Sequence, residues 1–377
     1  MRPTCCLPLA AALGAFLGTA VLPASADTIV LLSGERIEDV DVTTDGLKAV
    51  SFKSGRNEDS RPSDQVLSIE FSEKPQKLQE AEAALALDDV DEALYQLDLY
   101  IEGHLSGSPE RRHKWAPANA AWQIVELFRV GGQSGEVVGA ADRLISQFPD
   151  SRWVPHAYLA KARAQAQSGN QEAALGTYRS LSEFAQGQSL SSRWGLESRL
   201  GQLRTTDVVD DQRIDQIERL KREAEGEFPL VAKRAQLAVG EGLMFMADRA
   251  EGSKRADLIV RATAEFQPLA DAAGTDSAIL AGALTGMGEV EFLKASNAGD
   301  AEGLDRARMN FLRVVVLHGD EVDYVPKAMF YAGLCCKQLG DINSDENERA
   351  RARKLGLRLR REFKDSIWAD QAASALR

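Results

Sequence analysis

The chain has 377 residues, 44% hydrophobic and 27% charged, with a formal net charge of −12. That is enough apolar material for an extended core. The acidic balance excludes a surface built to condense on nucleic-acid phosphates, and four cysteines without framework spacing exclude a disulfide-stapled domain.

Residues 1–26 read as an export signal. Arg2 is the only charge before an apolar run from Leu7 to Leu22, which closes on Ala24-Ser25-Ala26 ahead of Asp27. A basic start, a short apolar stretch and small residues at the cut are what an export channel reads. Gly14, Gly18 and Pro23 interrupt the run, which falls short of the ~20 apolar residues that span a bilayer. An uncleaved anchor is the alternative. Cys5 and Cys6 precede the apolar core, where a lipid-modified cysteine should follow it. The expectation is a soluble protein of the periplasm or an equivalent exported space, beginning near Asp27.

Residues 27–73 read as a small β module. Thr28 to Leu32, Arg36 to Thr43, Leu47 to Lys53 and Val66 to Phe71 are strand-like, separated by Ser33-Gly34, Asp45-Gly46 and Ser54-Gly55 turns. Four or five strands in about 45 residues suggest a curled sheet or barrel, since closure removes exposed edges. The opening strand, the Ser33-Gly34-Glu35 turn and Ser63-Asp64-Gln65-Val66 before the last strand resemble the SH3-like or Sm-like barrels that begin some bacterial envelope proteins. RNA binding by analogy is disfavoured by Asp39, Asp41, Asp45, Glu58 and Asp59.

After Lys74-Pro75 the hydrophobic period changes from 2 to 3.6. Residues 76–365 alternate apolar-striped helices with short breaks roughly every 30 to 45 residues, the pattern of a helical-hairpin array. The fold class is therefore mainly α: a hairpin solenoid of about seven units behind an all-β barrel or sheet, ~3 units being enough for a stable stack. The clearest unit runs from Pro155 to Gln186, with Tyr158 and Ala162 on the first helix, a Ser168-Gly169-Asn170 turn, and Ala174, Tyr178 and Leu181 on the second. The alanine lets the backbones approach, and the aromatic fills the space to the next unit. Asp88 with Ala93 and Leu97, Gly132 with Leu144, Gly240 with Ala262 and Phe266, Gly288 with Ala307 and Phe311, and Gly333 with Ala352 and Leu359 mark further units, the last with an insertion around Ser344 to Asn347. Arg193 to Glu225 reads as one more helix pair without these signals. Lys161, Gln165 and Val137 depart from the pattern.

These residue types at this spacing resemble the tetratricopeptide repeat family. Phe148-Pro149-Asp150-Ser151-Arg152-Trp153 and Phe363-Lys364-Asp365-Ser366-Ile367-Trp368 resemble junctions of the periplasmic members that accompany outer-membrane assembly and the Tol–Pal machinery. The resemblance implies a scaffold that holds a partner segment in its groove, in envelope assembly or division. Residues 366–377 then form a capping helix, and the Asp-Ser pair can cap the helix it precedes.

No catalytic constellation, metal set or cofactor motif is legible. His104, His113, His156 and His318 are dispersed, and Cys335-Cys336 reads as buried structural thiol. Gly282, Gly286 and Gly288 read as close helix packing rather than a phosphate loop. Two surfaces are candidates for partner binding. Trp122, Glu126 and Arg129 share a first-helix stripe, and His156, Leu159 and Arg163 form its equivalent in the next unit; Trp122 is either a partner anchor or packed between repeats, and the arginines could pair a partner's carboxylates. The second surface is a basic helix with Arg349, Arg351, Arg353, Lys354, Arg358, Arg360, Arg361 and Lys364. It is suited to an acidic partner or anionic lipid, or is a solvated face balanced by Asp345, Glu346, Glu348 and Glu362. The leading expectation is a protein partner; a structural component that self-associates or binds peptidoglycan is the alternative.

Overall fold

The computed structural model describes residues 26–107, 113–206, 209–272, 274 and 276–377. The expected export segment lies outside the described residues except for Ala26. Five antiparallel strands come first: β1 (Asp27–Leu31), β2 (Arg36–Asp45), β3 (Ala49–Ser54), β4 (Asn57–Pro62) and β5 (Val66–Glu70), in the order β4-β3-β2-β1-β5. The first half of β2 pairs with β1 and the second with β3. A register shift beside Asp39, whose φ is 56°, lets the strand bend between the two. Ile29, Leu31, Val40, Val50, Phe52 and Val66 fill the inside. β4, Asn-Glu-Asp-Ser-Arg-Pro, has no apolar residue to alternate, so pattern reading passes over it. It is held through its pairing with β3, and its charges suit an exposed edge.

Fifteen helices follow among the described residues, as seven hairpins and a last helix. The hairpins are α1 (Gln76–Ala86) with α2 (Val90–Ser106), α3 (Ala116–Val130) with α4 (Ser134–Gln147), α5 (Val154–Gln167) with α6 (Gln171–Gly187), and α7 (Ser192–Thr205) with α8 (Asp211–Ala224). Then come α9 (Pro229–Arg249) with α10 (Gly252–Asp271), α11 (Ser277–Ala298) with α12 (Ala301–Leu317), α13 (Val325–Ile342) with α14 (Glu346–Glu362), and α15 (Ile367–Ala375).

The alternation is written into the helix starts. Pro117, Pro155, Pro229 and Pro326 stand in the first turn of first helices, where no N–H is missed. Asp89, Asn170, Asp210, Asp300 and Asp345 open second helices by accepting a backbone N–H bond, each worth about 1 kcal/mol. Successive helices pack in order, and the first helices α3, α5, α7, α9, α11 and α13 also touch one another in succession. They therefore lie on the inner side of the curve.

The second-helix aromatics fill the joints as their types suggest. Phe266, fully buried on α10, lies where a Cβ on Gly240 or Gly286 would come within 2.5 Å and 2.4 Å of its ring. Gly288 stands equally close to Phe311, at 2.6 Å, and Gly282 to Leu237, at 2.5 Å. All three α11 glycines thus serve helix packing inside a helix. Cys335 and Cys336 are both buried, and burial pushes both thiols up. One expectation needs correcting. No insertion separates α13 from α14: Asn343 to Asp345 make a tight turn with Ser344 at φ 54°, and Asn347 is already inside α14.

Candidate functional site

The junction 148–153 does more than cap a helix. Phe148 and Phe363 both close the preceding helix through their N–H, to Leu144 and Leu359 at 2.9 Å. Ser151 and Ser366 both accept from the N–H two residues on, at 3.2 Å. Ser366, not Asp365, is thereby the cap of α15, whereas α5 starts after Trp153 without a side-chain cap and Ser151 holds the turn just ahead of it. At the first junction the remaining groups hold the β module. Leu47 N–H donates to the Asp150 carbonyl at 2.7 Å, Gly46 bridges to Ser151, and Asp45 pairs with Arg152 at 2.7 Å. Arg193 donates to the Asp64 carbonyl, and Phe71 stacks on Trp115 at 3.4 Å.

From there an aromatic row runs along the inner side. Trp122 stacks on Trp153 at 5.1 Å, and His156 lies 5.7 Å from Trp122 and edge-on to Trp194 at 4.9 Å. The two predicted stripes do meet, but Trp122 packs between repeats, and Leu159, at 6% exposure, belongs to the core beside Tyr178 and Trp194. Leu159 is therefore mostly core, with only a small part of it lining an inner cavity. Glu126 holds the Arg129 guanidinium through both carboxylate oxygens, and Arg129 also donates to the Asp320 carbonyl at 3.1 Å.

That last contact is long-range in sequence. The array curls until the turn between α12 and α13 meets the ends of α3 and α5. Arg163 stands 3.9 Å from Asp323, and Gln167 donates to the same carboxylate. Gly132, at φ 67°, lies so near Phe363 that a Cβ would sit 2.7 Å from its ring. The seventh hairpin thus closes against the second and third.

Inside the curve lie two cavities that meet at Arg204 and Asp323, of about 500 Å³ and 230 Å³. The larger has an aromatic wall of Phe245, Phe292, Tyr324, Tyr331 and Trp368. Its charges are largely paired: Arg204 with Glu241 at 2.9 Å and with the Tyr324 hydroxyl at 3.2 Å, and Lys327 with Glu289. Burial pushes the Tyr324 and Tyr331 hydroxyls up to about 12, so both stay protonated donors. The smaller cavity gathers Arg163, Arg204 and Arg234 around Glu197, which is bonded to Arg234. Burial would raise the Glu197 carboxyl, but Arg234, Arg163 and Arg193 outweigh it and hold it below the usual carboxylate range. Arg193, Glu197, Arg204, Arg234 and the aromatic wall had no motif to announce them. Their common signal is position on successive first helices, which only the superhelix brings together.

The same arginines act on His156. Burial first, then Arg193, Arg152, Arg234 and Arg163, hold its imidazole well below the ordinary value of 6.5. The folded chain therefore keeps His156 neutral where the unfolded chain protonates it. Stability is present above about pH 6.5 and falls as pH drops below it, by up to about 1.4 kcal/mol per pH unit. Urea midpoints of the wild type and His156→Gln between pH 7.5 and 5.5 should diverge, the variant losing less; parallel curves would remove this assignment.

The basic helix α14 is partly paired. Arg349 reaches Asp341 and Glu346, Arg353 reaches Glu346, and Arg358 and Arg361 both reach Glu362. Arg351 pairs with Glu348, and Arg360 bonds the Gly356 carbonyl at 3.4 Å. These pairs neutralise part of the face, but the carboxylates are shared, and no ion pair of Lys354 or Arg360 with a carboxylate occurs among the described residues, so α14 keeps a net positive surface.

No group of three or more His, Cys, Asp or Glu residues placed to hold a metal occurs among the described residues, nor does a helix long and apolar enough to cross a membrane. No protein-family model and no curated protein matches the chain. Among solved structures, the nuclear import adaptor Nro1 of S. pombe is similar at 14% identity and a TM-score of 0.27, covering 80% of this chain and 95% of that one.

Proposed function

We propose that this chain is an exported protein-interaction scaffold of the tetratricopeptide type, which holds an extended segment of a protein partner along the inner side of its array. The observation that carries the reading is the inner face itself. Successive first helices line an aromatic-walled cavity of about 500 Å³ whose charges are in part paired with one another, a lining suited to bulky apolar side chains. The strand order β4-β3-β2-β1-β5, with a 3-10 turn over Ser63–Gln65 between β4 and β5, supports the SH3-like reading of the module. Export and cleavage before Asp27 are supported by the role of Asp27 itself. Its carboxylate accepts from Val42 N–H at 3.0 Å and Ser72 N–H at 2.9 Å, bonds that cleavage before Asp27 would leave intact.

Photo-crosslinking in envelope preparations tests this. A crosslinking amino acid at Phe245, 36% exposed at the cavity, should capture a protein, whereas one at Tyr95, 59% exposed on second helix α2, should not. Equal capture at both positions, or recovery of murein alone, would replace the groove reading with that of a structural envelope component. N-terminal sequencing of the exported protein should begin at Asp27.

A further inference from the structure

We infer that the chamber between α5, α7 and α9 is a carboxylate site for an acidic segment of the protein partner, and that Asp323 is its built-in occupant. The inference rests on the scaffold reading above and names the partner's chemistry.

Three guanidinium groups line the chamber of about 230 Å³, in a chain whose net charge is −12. Two are engaged: Arg234 by Glu197, and Arg204 by Glu241 and Tyr324. Arg163 is not. Its nearest carboxylate is Asp323 at 3.9 Å, well beyond the ~2.7–2.9 Å of a charge-assisted hydrogen bond. Arg163 thus carries five N–H donors with no hydrogen bond to the described residues, and its side chain is 34% exposed toward the chamber. A filled guanidinium fork looks different: Arg36 grips Glu70 at 2.8 and 3.1 Å, and Arg199 grips Glu223 at 2.9 and 3.1 Å.

Asp323 is placed to yield. It belongs to the turn between α12 and α13, where its neighbours Val322 and Tyr324 are buried anchors at 3% and 6% exposure. Its own side chain is 27% exposed. Rotation of that side chain empties the place in front of Arg163 without moving the turn. An incoming carboxylate then meets the free fork of Arg163, with Gln167 released as a further donor and Arg204 adjacent. A glutamate or aspartate side chain in an extended segment meets the requirement, and the aromatic wall beyond Arg204 receives the neighbouring apolar side chains.

The test uses the exported full chain and two fluorescein-labelled twelve-residue peptides, one alternating Glu with Leu and the other Gln with Leu, read by anisotropy. The Glu peptide should bind more tightly than the Gln peptide, and the difference should shrink as salt rises. Asp323→Asn removes the internal competitor and should tighten the Glu peptide about tenfold while leaving the Gln peptide unchanged. Arg163→Gln should erase the preference for Glu. Equal binding of both peptides, no binding of the Glu peptide, or an Asp323→Asn variant with wild-type affinity for it overturns the inference. Should Arg163→Gln fail to fold, Asp323→Asn carries the test alone. Capture at Phe245 with no effect of Asp323→Asn removes the carboxylate site and leaves the scaffold reading standing.

Discussion

Replacing Arg152 with alanine is expected to destabilise the protein by about 3–5 kcal/mol and to release the β module from the array. The side chains of Arg152 and Asp45 are each 2% exposed and lie 2.7 Å apart. Burial pushes the Asp45 carboxyl up and the Arg152 guanidinium down, and each charge is tolerated because the other faces it. The guanidinium also sits 3.9 Å over the Trp153 ring and donates to the Val66 carbonyl at 3.4 Å. Alanine removes all three contacts and strands the Asp45 carboxylate in the interface. Urea unfolding should show the loss, and limited proteolysis should cut between Phe71 and Pro75. The apolar double variant Asp45→Leu with Arg152→Met should recover much of the stability, since a well-packed apolar pair avoids the desolvation of both ions. An unchanged midpoint for Arg152→Ala would show that the module is held by Phe71 on Trp115 and by Arg193 on Asp64 instead.

The docking of the module explains which parts of this structure are legible in the sequence. Helix starts and hairpin turns are local events. Pro155 and Asn170 announce α5 and α6 through groups within a turn of themselves, and the alternation of such signals gives the array. The β strands are visible where one face is buried, as at Val50 and Phe52, and invisible at β4, where neither face is. The junction Phe148 to Trp153 is recognisable as a helix start, yet its Asp150 carbonyl and Arg152 serve a module a hundred residues earlier. Nothing local in the sequence encodes that use.

The same division runs through the inner face. Spacing correctly puts Trp122 and Arg129, and His156 and Arg163, on first-helix stripes. It does not show that the superhelix closes, bringing Asp320 and Asp323 onto those arginines from the far end of the chain. Closure depends on the small rotation between successive units, set by the volume of each joint. Tyr178 against Gly201 and Phe266 against Gly286 are such joints, readable as packing pairs only once the angle between units is known. The candidate chamber, with Arg204, Arg234 and Glu197 from two different hairpins, is a product of that angle.

Phe266 should therefore be the residue on which the second half of the array depends most. It is fully buried on α10 and touches two first helices at once, through Gly240 of its own hairpin and Gly286 of the next. Truncation to alanine leaves a void that α9 and α11 cannot both collapse into, and should cost about 3–5 kcal/mol. Gly286→Ala presses on the same joint from the other side, with its Cβ 2.4 Å from the ring, and should cost about 1–3 kcal/mol through overpacking. The two changes share one space, so they should not add. Phe266→Leu combined with Gly286→Ala should be less destabilising than the sum of the single variants, because the smaller side chain makes room for the methyl. Denaturation of the four proteins measures the coupling. Strict additivity would mean that Phe266 stabilises its own hairpin alone, and the angle between the fifth and sixth units, with the larger cavity it shapes, would have to be set elsewhere.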